Sequence, residues 1–421
     1  MAKGALPGFR DFFPQEFAER AFILNTWRDV ARRFAFVEYD GPPLEPLDLY
    51  TKKSGDEIVG QLYNFTDKGE REVALRPEMT PTFARMVAAK ANALRKPVRW
   101  FSTPQLFRYE RQQKGRLREH FQLNVDIVGE PDVTADAELL AVAIEIMRAF
   151  GLTQNDVRVR VSDRRLLRAI LAALGVTDEQ AVGVFTVMDK IERQPLELSR
   201  EKLAALGLPA ATVDRIVGLA GRVSLNGLRA EYGSDPAVAE RLADLDRYFA
   251  YLDALGVAPW VDLDLKIVRG LAYYTGIVFE LFDAHGEFRA ICGGGRYDTL
   301  LDSLGGVDLP ALGFGMGDVV LGELLRARGL MRAEQTSPDY WVAYTDPAQL
   351  VEAMHVVQTL RRSGASVEYA LKPQQLGRQL KAAAAAGAPE AVIVREDHAL
   401  ILKSLASGEE RAVRLSEGRL I

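Results

Sequence analysis

Five cations, Arg108, Arg111, Lys114, Arg116 and Arg118, fall within one short stretch of a chain whose net charge is -5. Such a density in an acidic protein asks for an anion, because the planar guanidinium fork matches phosphate and carboxylate bidentately. Two carboxylates, Glu110 and Asp126, bracket the stretch and can read polar groups of a ligand. Around them, 100–110 alternates weakly as a strand, 112–115 is turn-like, and 121–128 alternates with Leu123, Val125 and Ile127 on one face. The spacing predicts a hairpin with a basic, glycine-containing tip. The same residues also fit a charged loop that meets only solvent.

A second group stands at Arg76-Pro77-Glu78-Met79-Thr80. Pro77 ends the preceding strand and leaves Glu78 and Thr80 at its mouth, where a carboxylate and a hydroxyl can hold an ammonium group. Thr80 before Pro81 equally fits a helix N-cap. A third group is Arg269-Gly270-Leu271-Ala272-Tyr273-Tyr274-Thr275-Gly276. An arginine beside glycine can approach a reacting phosphate, and paired tyrosines can bound a planar ligand, although a hairpin with buried tyrosines has the same pattern. Gln122 and Asp126, four apart on a strand, share a face. Glycines recur at 293–295 and at 313, 315 and 317, where backbone can pass close to a ligand.

These groups need a scaffold, and 421 residues with 48% hydrophobic content supply more than one full-sized core. The periodicity predicts an amphipathic helix over 16–34, strands at 62–67 and 72–76, a helix over 81–92, a helix over 135–150, a strand at 157–162 and a helix over 164–174. Residues from about 177 to 257 read as helical segments broken at Gly207-Leu208-Pro209 and Gly233-Ser234-Asp235-Pro236. The strand pattern resumes over 263–280. After a polar linker at 333–338, residues 339–421 alternate strand and helix as a small α/β domain. Arg378 and Lys381 share a helical face there that suits RNA or solvent. The single cysteine, Cys292, excludes an intramolecular disulfide and a cysteine-based metal cluster, and suits a reducing cytoplasm. No zinc site is readable. No apolar run approaches the roughly 20 residues of a membrane span, and no signal core opens the chain. Generic adhesion to nucleic acid is disfavoured by the charge, so RNA contact must be local.

Residues 107–126 resemble motif 2 of the histidyl-tRNA synthetases, a class II aminoacyl-tRNA synthetase family with non-catalytic relatives. The 76–80 run, the Arg269–Gly276 run, the Gly294-Gly295-Arg296-Tyr297-Asp298 segment and the entry Pro7-Gly8-Phe9-Arg10-Asp11-Phe12-Phe13-Pro14 resemble the same family. The resemblance implies an α+β fold: a class II antiparallel sheet flanked by helices over 1–332, a helical insertion, and an anticodon-binding-like α/β domain. Val187-Met188-Asp189-Lys190-Ile191 resembles the archaeal and eukaryotic branch of the family. By the resemblance, Glu78, Met79, Thr80, Arg108, Gln122, Asp126, Arg269, Tyr273 and Tyr274 bind histidine. Arg108, Glu110, Arg116, His120 and Phe121 bind ATP, and Arg108 and Arg269 are catalytic. ATP with Mg²⁺, L-histidine, tRNA(His) and a second copy of the chain are the implied partners, the first helix lying at the dimer interface, and the implied location is the cytoplasm. Five positions depart from the pattern: Asp126 stands for Glu, His120 for Phe, Ala272 for Asp, and Val319 and Val320 for the motif 3 Glu-Arg pair, whose arginine grips the ATP γ-phosphate. Arg116 and Arg326 are candidates to replace that arginine. Val320 and Ala272 also suit a histidine-sensing regulatory paralogue, related to the partner subunit of ATP phosphoribosyltransferase, or a paralogue that binds tRNA without activating an amino acid.

Overall fold

The computed structural model describes residues 4–54, 60–109, 117–221, 223–268, 273–333, 337–416 and 419–421. Glu110, Arg111, Lys114, Arg116, Arg269 and Ala272 lie outside them. The chain divides into two compact units, Met1–Ala333 and Glu334–Ile421.

The larger unit is organised by one sheet. Its strands in chain order are β1 (Val37–Glu38), β2 (Val98–Ser102), β3 (Gln105–Phe107), β4 (Glu119–Val128), β5 (Val157–Asp163), β6 (Val261–Leu263), β7 (Ile277–Asp283), β8 (Cys292–Arg296) and β9 (Ala311–Gly317). Their spatial order is β1-β2-β4-β9-β8-β7-β5-β6, with β3 pairing the start of β4. All pairings are antiparallel except β1 with β2 and β5 with β6, at the two edges. On β4, Leu123, Val125 and Ile127 are buried in the main core with the helix Val133–Ala149. Asp132 caps that helix by accepting from the Thr134 N–H at 2.9 Å. The first helix, Pro14–Arg33, buries Ile23, Leu24, Trp27, Val30 and Ala31, the stripe that its 3.6-residue periodicity requires.

Two predicted strands are interrupted. The stretch 100–110 is divided between β2 and β3 because Pro104 has no N–H to donate and sits between them, its carbonyl accepting from Gln122 N at 3.1 Å. The stretch 263–280 is divided between β6 and β7. The Asp264 carboxylate accepts from Lys266 N at 3.1 Å, and Ile267 N donates to the Asp264 carbonyl, so a local turn takes the backbone groups a ladder would use. A small sheet of Leu44–Pro46, Tyr63–Thr66 and Glu72–Leu75, the first of them not anticipated, delivers the chain to Glu78.

Among the described residues the insertion is five helices, Asp178–Met188, Leu196–Ala204, Ala210–Leu219, Leu225–Tyr232 and Pro236–Ala254, each contributing buried residues to the same core. A capping box of Thr177 with Gln180, and caps at Ser224 and Asp235, start three of them. The smaller unit is a five-stranded sheet in the order Val367–Tyr369, Tyr340–Ala343, Glu390–Val394, Leu400–Ser404, Glu410–Val413. The helices Leu350–Arg362 and Leu376–Ala385 share its own core. Arg378 and Lys381 are exposed on the second of these.

Candidate active site

The face of β4 opposite its apolar residues carries His120, Gln122, Asn124 and Asp126. Register places Gln122 beside Gly317, Asn124 beside Gly315 and Asp126 beside Gly313 on β9, and Gly315 and Gly313 beside Gly293 and Gly295 on β8. This face of β8 and β9 is therefore bare backbone. A Cβ at Gly313 would overlap the Asp126 carboxylate, and one at Gly315 would overlap the Gln122 amide. Glycine at both positions lets those side chains lie flat across the neighbouring strand, where they form the floor of a cleft.

One pocket on this floor, of about 100 Å³, is lined by Glu78, Thr80, Arg108, Gln122, Asn124, Asp126, Tyr273, Tyr274 and Tyr297 together with backbone of β8 and β9. Asp126 is buried and accepts a hydrogen bond from the Tyr297 hydroxyl. Burial pushes the Asp126 carboxyl up to about 7, and the Tyr297 bond partly offsets it. Tyr297 is itself raised well above its ordinary range by burial and by the neighbouring carboxylate, so its proton stays on to donate. Its ring meets Tyr273 edge to face at 5.9 Å, and Tyr273 stands 4.7 Å from Tyr274. The pocket thus gathers two carboxylates, Asp126 and Glu78, the Thr80 hydroxyl and a cluster of tyrosines.

A wider pocket of about 250 Å³ adjoins it, lined by Arg108, Leu117, His120, Gln122, Arg289, Ala290, Ile291, Cys292, Gly293, Gly315, Gly317, Val319 and Val320. Arg108, Gln122, Gly293 and Gly315 belong to both pockets. Arg108 is held there by two bonds: its backbone N–H donates to Arg118 O at 2.9 Å, and its Nε donates to Pro77 O at 2.9 Å, one residue from Glu78. The 76–78 turn is fixed in turn by Arg76, whose buried guanidinium reaches Asp40 Oδ1 at 2.7 Å, Gly41 O at 2.7 Å and Gln105 O at 3.0 Å. Burial and the nearby Arg108 and Arg10 push the His120 imidazole down to about 3, leaving it neutral. A neutral ring in this position can stack on a base without repelling cations.

The predicted residues are distributed as follows. Glu78, Thr80, Arg108, Gln122, Asp126, Tyr273 and Tyr274 converge on the smaller pocket, and Arg108 and His120 line the larger. Thr80 is the first residue of the helix Thr80–Lys90 and is not its cap. Met79 is fully buried behind the site, its sulfur 3.9 Å from Arg76 Nη1, and lines neither pocket. Phe121 is turned to the opposite face of β4, as strand alternation demands of a neighbour of His120, and packs against Phe12 at 6.1 Å and under Arg20 at 4.7 Å. Arg326 is ion-paired with Glu19 at 2.5 Å and lines neither pocket. Asn124, Tyr297 and Arg289 were missed as site residues. Alternation from Gln122 to Asp126 would have found Asn124; Tyr297 and Arg289 needed the strand order.

The entry segment ties this site together from beneath. Gly8 O accepts from Arg118 N at 3.0 Å, while Arg10 reaches Glu119 at 2.6 Å and Asp318 at 2.9 Å. Asp318 also accepts from Phe121 N at 2.9 Å.

A glycine-floored antiparallel sheet with this strand order defines the fold as that of a class II aminoacyl-tRNA synthetase. The solved histidyl-tRNA synthetase from Nostoc sp. PCC 7120 has the same fold, with a TM-score of 0.82 over 98% of this chain and 97% of that one, at 24% identity. A sequence profile described as Histidyl-tRNA synthetase matches residues 8–317. The chain is 47% identical over 397 residues to the histidine–tRNA ligase of Opitutus terrae, spanning 93% of this chain and 91% of that one. It is 39% identical over 414 residues to the chloroplastic/mitochondrial histidine–tRNA ligase of Arabidopsis thaliana, spanning 97% and 85%. The chain belongs to the histidyl-tRNA synthetase family. These relatives favour the ligase over the regulatory paralogue, Val320 and Ala272 notwithstanding.

Proposed function

We infer that this chain is a histidine–tRNA ligase that activates L-histidine with ATP and transfers it to the 3′ end of tRNA(His). The observation that carries this reading is the pair of adjoining pockets with Arg108 at their junction. In this reading Glu78 and Thr80 hold the α-ammonium group, and Asp126, oriented by Tyr297, accepts from the imidazole N–H between the walls of Tyr273 and Tyr274. The histidine carboxylate and the ATP α-phosphate then meet beside Arg108. A carboxylate oxygen forms the new bond to the α-phosphorus as the bond to pyrophosphate breaks. Arg108 stabilises charge that grows on the α-phosphate, with Arg269 assigned the same role by its motif. A ribose hydroxyl of the tRNA next attacks the activated carbonyl and AMP departs. Selectivity follows because an amino acid without an imidazole N–H leaves Asp126 buried without its ligand partner.

His120 is assigned to the adenine ring, and Glu110 and Arg116 to the nucleotide from their motif. Mg²⁺ would arrive on the phosphates. Among the described residues the larger pocket is lined by no carboxylate, and no group of three metal-ligating side chains occurs, so these residues do not build a metal site and no step is assigned to one. A homodimer is supported by exposed Phe13, which precedes the first helix, Phe17 on that helix and Val37 on the edge strand β1. Among the described residues no helix is long and apolar enough to cross a membrane; a cytoplasmic location is the proposed one.

Purified protein is expected to exchange labelled pyrophosphate into ATP only when histidine is present. Tight histidine binding without exchange would overturn the ligase reading in favour of a sensor.

A further inference from the structure

The larger pocket is lined by both cations and apolar side chains. Among its described lining residues Arg108 and Arg289 are the cations, and His120 is neutral. Val320 packs against the main core, so its side chain turns to the protein and offers nothing to an anion. A triphosphate laid with its α-phosphate at Arg108 must place its outer phosphates elsewhere along this pocket.

Arg289 is placed for them just before β8: it lines the pocket together with Val319 and Val320, in the first turn of the helix Asp318–Ala327. Arg108 reaches the same pocket from the far side of β4. The two arginines therefore line one pocket together with the start of that helix. That start has Gly317 as its N-cap and no side-chain cap, and Gly317, Val319 and Val320 all line the pocket. The first-turn N–H groups and the positive end of the helix dipole therefore face the cavity.

We propose that Arg289, together with the uncapped first turn of the Asp318–Ala327 helix, holds the β- and γ-phosphates of ATP, and so is a substrate-binding residue of the activation step. This deepens the ligase reading and rests on it. Arg289 supplies the charge, and the valines at 319 and 320 supply backbone N–H groups.

The test compares ATP and AMP binding by calorimetry. In Arg289→Ala, ATP affinity is expected to fall on the order of tenfold to a hundredfold, the loss of a charge-assisted contact. AMP affinity is expected to stay within about twofold, histidine affinity is expected not to change, and Arg289→Lys is expected to recover part of the ATP loss. Because Arg289 is exposed, the variant is expected to fold, and histidine binding checks this. Equal losses for ATP and AMP, or no loss for either, would overturn the inference while leaving wild-type exchange and the ligase reading intact. A wild-type protein that bound ATP no better than AMP and failed to exchange would overturn both.

Discussion

Asp126→Asn is expected to weaken histidine binding by about tenfold to a hundredfold and, at pH 8, to raise the melting temperature of the free protein. Both effects come from one buried carboxyl. Tyr297 donates to it from within the protein, so an asparagine placed there would give its carbonyl oxygen to Tyr297 and turn its amide N–H groups toward the ligand. A donor would then face the imidazole N–H. The stability gain follows from linkage. The folded Asp126 carboxyl titrates at about 7 against an ordinary 3.8, raised by burial, so its contribution to stability is complete below about pH 4 and is lost as pH rises toward 7. An asparagine is neutral throughout, so its advantage should grow from pH 4 to pH 7 and then level, at roughly a few kcal/mol. Histidine affinity of the wild type should instead rise as pH passes through about 7, where the folded carboxylate forms. Thermal melts at pH 4 and pH 8, with histidine titrations of both proteins, check this; equal melting temperatures at pH 8 would refute the account of Asp126.

Arg296→Met is expected to cost about 3–5 kcal/mol, a large share of the stability of an ordinary domain. Arg296 is 1% exposed and Asp136 3%, and Nη2 reaches Oδ2 at 2.5 Å. The guanidinium also bonds Glu130 O at 3.0 Å, Asp132 O at 3.2 Å and Asp298 at 3.2 Å. Removing it strands a buried carboxyl that burial already raises to about 6 despite its partner. The double variant with Asp136→Leu removes the stranded group and should recover part of the loss. The consequence reaches the pocket, because Arg296 is followed by Tyr297, which orients Asp126. Urea unfolding of the single and double variants measures the first effect. A single variant within 1 kcal/mol of wild type would mean the pair carries no stability.

Much of this was legible without coordinates where one strand or turn carried the information. Period-two alternation put Gln122 and Asp126 on one face, and Pro77 ended a strand so that Glu78 and Thr80 stood at its mouth. The same alternation, applied one residue earlier, would have turned Phe121 away, because His120 and Phe121 cannot both face the cleft. Met79 went wrong in the same manner: its neighbours on both sides reach the pocket and it points into the core. What the chain could not reveal locally was cross-strand placement. Tyr297 meets Asp126, 171 residues away in sequence, only because the sheet sets β9 beside β4 and β8 beside β9, and the same strand order brings Arg289 into the pocket with Arg108. Val320 read as a missing cation, and the second described cation of the pocket, Arg289, lies outside every motif the sequence offered, just before β8.

The central claim is that an amino acid and a nucleotide occupy one continuous cleft joined at Arg108. A non-hydrolysable histidyl-adenylate analogue tests it most directly, in a competition titration against labelled histidine and labelled ATP. The account predicts one analogue per chain displacing both ligands with a single shared affinity, and Arg108→Ala weakening it strongly. An analogue that displaced ATP while histidine stayed bound would contradict it, because the two pockets would then be separate sites.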